Sequence, residues 1–395
     1  MRAGRPRVAI VVQRYGAEMA GGSESLARAV ATRLAADHDV TVYTTCARDY
    51  VTWRNELPEG SARAGGVLVL RFRAEEEREL QSFNRLSETL YDQPHTLEEE
   101  LVWLKRQGPY APGLVADLER CKDRFDAVLF FTYLYFPTYW GLKAAPERSI
   151  LVPTAHDEPP LRFSIYESVF SAPRAFAFCS APEEELVRSR FRLGDRPTAV
   201  AGFGVETPEA PDVEGLRIRH DVRGPYVLYA GRIDAGKGCA EMLDLYSRYR
   251  RDCRGAAQLL LIGKLAMPMP RVPGVRYLGY LGEAEKVAAM AGAKAILCPS
   301  RYESLSIVLL EGLAVGTPGL VSAHSPVLKD HVRRSRGGLH YGDADEFVEA
   351  LDLLVREEDL RSTLGENGRG YVLENYRWDA VMAKYRGLIA SVSRR

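Results

Sequence analysis

The stretch Ala295-Ile-Leu-Cys-Pro-Ser-Arg-Tyr-Glu-Ser-Leu-Ser-Ile-Val-Leu-Leu-Glu-Gly-Leu-Ala-Val-Gly-Thr-Pro318 reads as a strand, a turn and a helix in succession. The apolar run from Ala295 to Cys298 has the length of a buried strand, and Pro299-Ser-Arg-Tyr302 breaks it. After Ser304 the apolar positions take helical spacing, which stops at Gly316 ahead of Pro318. Glu303 therefore falls in the turn and Glu311 inside the helix. A carboxylate in a helix otherwise made of Leu, Ile, Val and Ala either faces solvent or reaches a polar partner. The second choice calls for a ligand with hydroxyls.

The same alternation of short apolar strands and helical patterns runs outward through the chain. Strands are predicted at Arg7 to Gln13, Val40 to Thr44, Val67 to Phe72, Ala127 to Phe131, Ile150 to Thr154 and Ala175 to Cys179. The pattern restarts after Asp212, at Tyr226 to Ala230, Ala257 to Ile262, Val275 to Gly279, Ala293 to Cys298 and Gly319 to Ser322. Near-continuous apolar strands separated by helices are the mark of parallel sheets covered on both faces. The expected fold is α/β, with two doubly wound, Rossmann-like units in series: residues 1–207, then 208–376, then a C-terminal helix over 377–395. The joint falls between Val205 and Arg223, where Glu206-Thr-Pro-Glu-Ala-Pro-Asp212 breaks both periodicities. A charged helical stretch over about 74–120, including Leu97-Glu-Glu-Glu-Leu-Val-Trp-Leu104, reads either as an elaboration of the first domain or as a solvated helix pair.

Composition agrees with two domains and narrows the partners. The chain has 395 residues, 46% of them hydrophobic, which is too long for one ordinary core. Lys plus Arg and Asp plus Glu both total 53, so nothing global draws the protein to nucleic acid or an acidic membrane. Six cysteines lie scattered without metal-ligand or redox spacing and read as free thiols of a reducing compartment. No apolar run approaches the roughly 18 residues of a membrane span, and Val8-Ala-Ile-Val-Val12 is too short for a signal peptide. The expected location is cytoplasmic, or peripheral to a membrane at most.

A second chemically loaded segment follows the first predicted strand of the second domain, Tyr229-Ala-Gly-Arg-Ile-Asp-Ala-Gly-Lys-Gly238. Glycines and two cations ahead of a helix suit an anionic ligand, since helix-start amides and fixed positive charges both favour phosphate. The string also imitates a P-loop, but Gly238 stands where Ser or Thr would ligand magnesium. A solvated turn accounts for Arg232 or Lys237 taken singly.

Taken together, the E-x7-E segment, the Gly231-Arg-x-x-x-x-Lys-Gly238 run and the Gly21-Gly-Ser-Glu24 loop resemble the retaining glycosyltransferases of family 4, the group 1 glycosyltransferases, with their two-domain GT-B architecture. Gly279-Tyr-Leu-Gly282 and the tail Tyr376-Arg-Trp-Asp379 add to the resemblance. It implies a transferase of hexosyl type in polysaccharide or glycoconjugate biosynthesis. The donor would be a nucleotide-diphosphate sugar, such as a UDP- or GDP-sugar, and the acceptor a saccharide, a lipid-linked compound or a small molecule. Arg232 and Lys237 would hold the diphosphate, Glu311 the ribose hydroxyls and Glu303 the donor sugar. Gly22, Gly231, Tyr280, Leu281 and the backbone of Ser304, Leu305 and Ser306 would complete the donor side. Ser304-Leu-Ser306 departs from the Gly-Phe-Gly common among such enzymes, which leaves the backbone role intact and the donor preference open. Gly21, Gly22 and His156 would lie on the acceptor side, His156 also lining the donor-sugar pocket. The resemblance further implies a front-face mechanism without metal or other cofactor, and a last helix that packs on the first domain.

Other features have plainer readings. Asp343-Ala-Asp345 has the form of a metal-binding D-x-D but precedes an amphipathic helix, so an acidic first turn accounts for it. His324, His331 and His340 lack ligand spacing. Basic runs at Arg188, Arg190 and Arg192 and at Arg333, Arg334 and Arg336 read either as solvated faces or as peripheral contacts with an anionic membrane. A non-catalytic nucleotide-sugar-binding protein and a P-loop NTPase are the alternatives. The donor sugar, the base, the acceptor and the oligomeric state are not set by these motifs.

Overall fold

The computed structural model describes residues 5–19, 21–206, 210–253 and 257–393. The chain divides into two compact units, one formed by residues 1–202 with 382–395, the other by residues 203–381. The sequence-based boundary at 207/208 falls at residues outside the described ones. Residues 377–381, assigned above to the C-terminal helix, group with the second unit.

The first unit is built on an eight-stranded sheet. Its strands are β1 (Arg7–Val11), β2 (Asp39–Thr45), β3 (Gly60–Ala64), β4 (Val67–Phe72), β5 (Ala127–Phe131), β6 (Ser149–Val152), β7 (Ala175–Phe178) and β8 (Thr198–Val200). The order is β3-β4-β2-β1-β5-β6-β7-β8, parallel except for the β3/β4 hairpin. β5, β6 and β7 are buried throughout, as strands covered on both faces must be. Between β4 and β5 lie three helices, Leu80–Asp92, Leu97–Gln107 and Pro112–Cys121. They are no solvated pair: Phe83, Leu90, Trp103, Leu104, Leu114 and Leu118 join the core of this unit. Within this unit the end of the last helix, Trp378–Val392, is fixed by Lys384 on the Val200 carbonyl and Arg386 on Asp37.

The second unit carries a six-stranded, wholly parallel sheet. Its strands are β9 (Tyr226–Ala230), β10 (Gln258–Ile262), β11 (Val275–Gly279), β12 (Ile296–Cys298), β13 (Gly319–Ser322) and β14 (Gly338–Tyr341), in the order β11-β10-β9-β12-β13-β14. The winding reverses between β9 and β12. At such a switch point the loops leaving two neighbouring strands diverge, and a crevice opens at their carboxyl ends. Both motif segments sit there, Gly231–Gly238 after β9 and Pro299–Ser306 after β12. The core beneath combines Val227, Tyr229, Leu259, Leu261 and Leu297 with the inner face of the helix Cys239–Asp252.

Three strands went unread in the sequence, and each is an edge or next to one. β3 is exposed at every position, β8 has three residues, and β14 is only half-buried. A strand covered on one side or none lacks the apolar run by which buried strands are recognised.

Candidate functional site

The switch-point loops of the second unit are locked together by backbone and carboxylate contacts. The Tyr229 hydroxyl donates to the Arg232 carbonyl at 2.7 Å, fixing the chain as it leaves β9. The Arg232 guanidinium engages the Asp234 carboxylate, whose other oxygen accepts the Lys237 N–H at 2.8 Å and so caps the turn Ala235–Lys237. Gly238 then takes a left-handed conformation (φ 75°), and a Cβ there would lie 2.7 Å from the Pro299 carbonyl oxygen. Only glycine lets the two loops approach this closely. As a result Lys237, after β9, reaches Glu303, after β12: Nζ lies 2.8 Å from Oε1, with side chains 35% and 17% exposed.

Beneath this pair Cys298 is buried, and burial with the neighbouring Glu303 charge pushes its thiol up to about 12. It stays protonated and inert as a nucleophile.

Glu311 projects from the helix Ile307–Ala314 and meets a partner that sequence reading did not single out. Lys286, on the helix Glu283–Ala291, places Nζ 2.8 Å from Glu311 Oε1 and 3.0 Å from Glu283 Oε1. Burial raises Glu311 above the ordinary carboxylate range while Lys286 pulls it back. Burial works to lower Lys286, and the two glutamates outweigh it and hold it up. A signal for Lys286 was present. A cation in the first turn of a helix opposes the helix dipole, which Glu283 and Glu285 suit, and so calls for a nearby anion.

The helix carrying Glu311 begins at Ile307, not just after Ser304. Ser306 adopts φ 68° and ψ 74°, so Ser304, Leu305 and Ser306 form a loop ahead of the helix, and the orphan helix-start amides begin at Ile307. The Leu305 carbonyl is held by His331 Nε2 at 2.9 Å, while His331 Nδ1 lies 3.1 Å from the Tyr371 hydroxyl. Of the pair after β11, Tyr280 is 80% exposed whereas Leu281 is buried.

The first unit has its own winding reversal, between β1 and β5, and the remaining sequence-predicted residues lie on loops at that end of its sheet. Gly21 caps the helix Gly22–Leu34 and Gly22 begins it. A Cβ on Gly21 would clash with the Glu24 carboxylate, whereas one on Gly22 would meet nothing within 4 Å, leaving that side open to a ligand. Glu24 accepts from Arg14 Nε at 2.9 Å and from Ser23 Oγ at 2.9 Å, so its charge is already matched inside the unit.

His156 follows β6. Its Nε2 lies 3.3 Å from Glu158 Oε2, and Glu158 in turn accepts the Tyr133 hydroxyl at 2.7 Å. The preceding amide, Ala155 N–H, donates to Glu183 at 2.6 Å, and Glu183 also accepts from the Cys179 amide. Burial lifts this carboxyl to about 8 despite those donors. In the sequence Glu183 is hidden within Glu183-Glu-Glu185, which reads as a solvated helix start.

Asp343 caps the helix Ala344–Arg356 through the Glu346 N–H at 2.9 Å, and Asp345 pairs with Arg248. Both acids of the D-x-D string are thus structural. In the basic runs, Arg188 pairs with Glu184, Arg190 with Asp157 and Arg334 with Asp330.

Known proteins are similar to this chain in part of its sequence and in its architecture. The family model described as glycosyl transferases group 1 matches residues 217–371, nearly all of the second unit. The phosphatidyl-myo-inositol mannosyltransferase of Mycobacterium leprae is 26% identical over 276 residues, a match covering 64% of this chain and 70% of that protein. The alpha-maltose-1-phosphate synthase of Mycobacterium tuberculosis is 24% identical over 238 residues, covering 53% of this chain and 61% of the synthase, less than two thirds of its length. Among solved structures, the sucrose-phosphate synthase of Thermosynechococcus elongatus gives a TM-score of 0.70 at 17% identity, covering 98% of this chain and 100% of that one. That last likeness is one of fold.

Proposed function

We propose, from the premise that this chain belongs to the group 1 glycosyltransferases and has the GT-B fold, that it moves a hexosyl group from a nucleotide-diphosphate sugar to an acceptor hydroxyl with retention of configuration. The observation that carries this reading is the Lys237–Glu303 pair spanning the switch point at 2.8 Å, with Arg232 on the same loop. In the donor complex Lys237 and Arg232 turn to the diphosphate, and Glu303, released from Lys237, accepts from hydroxyls of the sugar. Glu311, paired with Lys286, accepts from the ribose hydroxyls. Gly231 and the loop Ser304–Ser306 approach the phosphates, and Tyr280 and Leu281 flank the nucleotide.

The transfer breaks the bond between the anomeric carbon and the leaving phosphate oxygen. The acceptor oxygen bonds to the same face of that carbon, and its proton passes to the phosphate oxygen. Lys237 and Arg232 stabilise the charge that builds there, the kind of preorganised electrostatic term that dominates many enzymes. His156 and Gly22 serve the donor sugar and acceptor. The acceptor is a saccharide, lipid-linked or small-molecule hydroxyl, and no metal takes part.

The test is a thermal-stabilisation screen with UDP- and GDP-sugars, followed by nucleotide release in EDTA and NMR assignment of the product anomer. Retention with an undiminished rate in EDTA supports the reading. Inversion, or a rate abolished by EDTA and restored by a divalent cation, contradicts it. Binding without turnover would favour a non-catalytic nucleotide-sugar-binding protein. Among the described residues no helix is long and apolar enough to cross a membrane. Contact with an anionic leaflet, if the acceptor is lipid-linked, would use the basic runs, and vesicle co-sedimentation at low and high salt tests it.

A further inference from the structure

His331 is a fully buried histidine outside the residues assigned to chemistry, on the helix Pro326–Ser335. Its two ring nitrogens have partners of different kinds, and this fixes the direction of a hydrogen-bonded chain. The Leu305 carbonyl can only accept, so Nε2 carries the proton. In a neutral ring Nδ1 must then accept, and the Tyr371 hydroxyl at 3.1 Å donates to it. The Tyr371 oxygen is left to accept from the Tyr376 hydroxyl at 3.3 Å, and the Tyr376 carbonyl accepts the Val205 N–H at 2.8 Å. The side-chain line thus runs from Tyr376 through Tyr371 and His331 to the backbone between Ser304 and Ser306, and the Tyr376 backbone is separately tied to Val205. The ring also makes edge contacts with both tyrosines, at centroid distances of 6.1 and 5.7 Å.

The loop needs such support. Ser306 is held at φ 68°, a conformation that L-residues other than glycine adopt only when their surroundings over-determine it. Here the Leu305 side chain is buried on one side of that residue, its carbonyl is fixed by His331, and the helix starts immediately on the other side.

We propose that His331, backed by Tyr371 and Tyr376, is a positioning residue for the nucleotide diphosphate. It holds Ser304–Ser306 in the one backbone arrangement whose amides meet the ligand. The inference rests on the donor-site reading above. His331 touches no substrate; it acts through the Leu305 carbonyl.

The test compares wild type with His331→Phe, His331→Gln and Tyr371→Phe. UDP and GDP are the titrated probes, thermal unfolding is followed in parallel, and binding is measured well below every midpoint. Losing one hydrogen bond that orders the loop raises the Kd about tenfold in His331→Phe and about fivefold in Tyr371→Phe. His331→Gln, whose amide can donate to Leu305 and accept from Tyr371, returns the Kd to within about threefold of wild type. A lowered unfolding midpoint with unchanged Kd in His331→Phe would show a packing role alone and overturn the inference. Should His331→Phe fail to fold, Tyr371→Phe decides, since it keeps the ring and removes only the hydroxyl; unchanged Kd there is equally fatal. Wild type that binds neither UDP nor GDP overturns the donor-site reading itself and this inference with it. The two failures are thus told apart by the wild-type titration.

Discussion

Removing the Lys237 ammonium should cripple turnover while leaving the fold almost untouched. In the free protein Lys237 contributes one ion pair with Glu303, and the two side chains are 35% and 17% exposed. A pair that solvated is worth about 1 kcal/mol or less to stability, so Lys237→Ala should shift the unfolding midpoint only slightly. In the proposed transfer the same ammonium would face a diphosphate on which charge is building. Deleting one preorganised donor from such a site costs about 3 to 4 kcal/mol of transition-state stabilisation, a fall of about a hundredfold to a thousandfold in kcat. Acceptor KM should change by no more than about threefold, because Lys237 lies outside the proposed acceptor contacts. The assay is nucleotide release at saturating donor with acceptor titrated, beside a thermal scan. A folded Lys237→Ala variant with kcat within about threefold of wild type would refute the diphosphate assignment.

Other variants probe the framework around that charge. Gly238→Ala would force a Cβ against the Pro299 carbonyl at a backbone angle hostile to alanine; urea unfolding should show a loss of about 1 to 3 kcal/mol, and UDP or GDP binding should weaken with it. Lys286→Met leaves Glu311 without its counter-ion in a largely buried site, so its carboxyl titrates higher and nucleotide affinity should fall most steeply at mildly acidic pH, measured by titration across pH. Burial lowers His331 from its ordinary value of 6.5 to about 4, so below 6.5 the unfolded chain takes up a proton that the folded chain refuses. Stability present above pH 6.5 should therefore be lost as pH falls toward 4, by about 3 kcal/mol, and His331→Gln should flatten that part of the urea-unfolding profile.

How far the sequence carries depends on whether a residue's role is local. β4, β5, β9, β11 and β13 have the bounds expected from the sequence; β5, β9 and β13 are short apolar runs stopped by turn residues or a change of polarity, whereas the edge strand β11 carries Arg276 and Tyr277 and is bounded by Pro273-Gly274 and Gly279. The Gly231–Gly238 and Pro299–Pro318 segments could be singled out because their charged residues and glycines fall at neighbouring positions, and the structure places them side by side after β9 and β12. The start of the Glu311 helix was misplaced because the left-handed backbone of Ser306 leaves no mark in a string where serine is an ordinary residue. Lys286 and His331 escaped because their meaning lies in partners brought near by folding, Glu311 in one case and Leu305 with Tyr371 in the other. Glu183 escaped because burial, which turns a surface acid into an anchor for the Ala155 amide, is a property of the fold.

The central claim is that the crevice between β9 and β12 holds a nucleotide diphosphate through Arg232 and Lys237. Isothermal titration of wild type with UDP and GDP in EDTA tests it most directly, with the Arg232→Ala/Lys237→Ala double variant as control. Saturable one-to-one binding of one of the two nucleotides, abolished in the folded double variant, is the predicted result. Binding of neither nucleotide, or equal binding by the double variant, would contradict it.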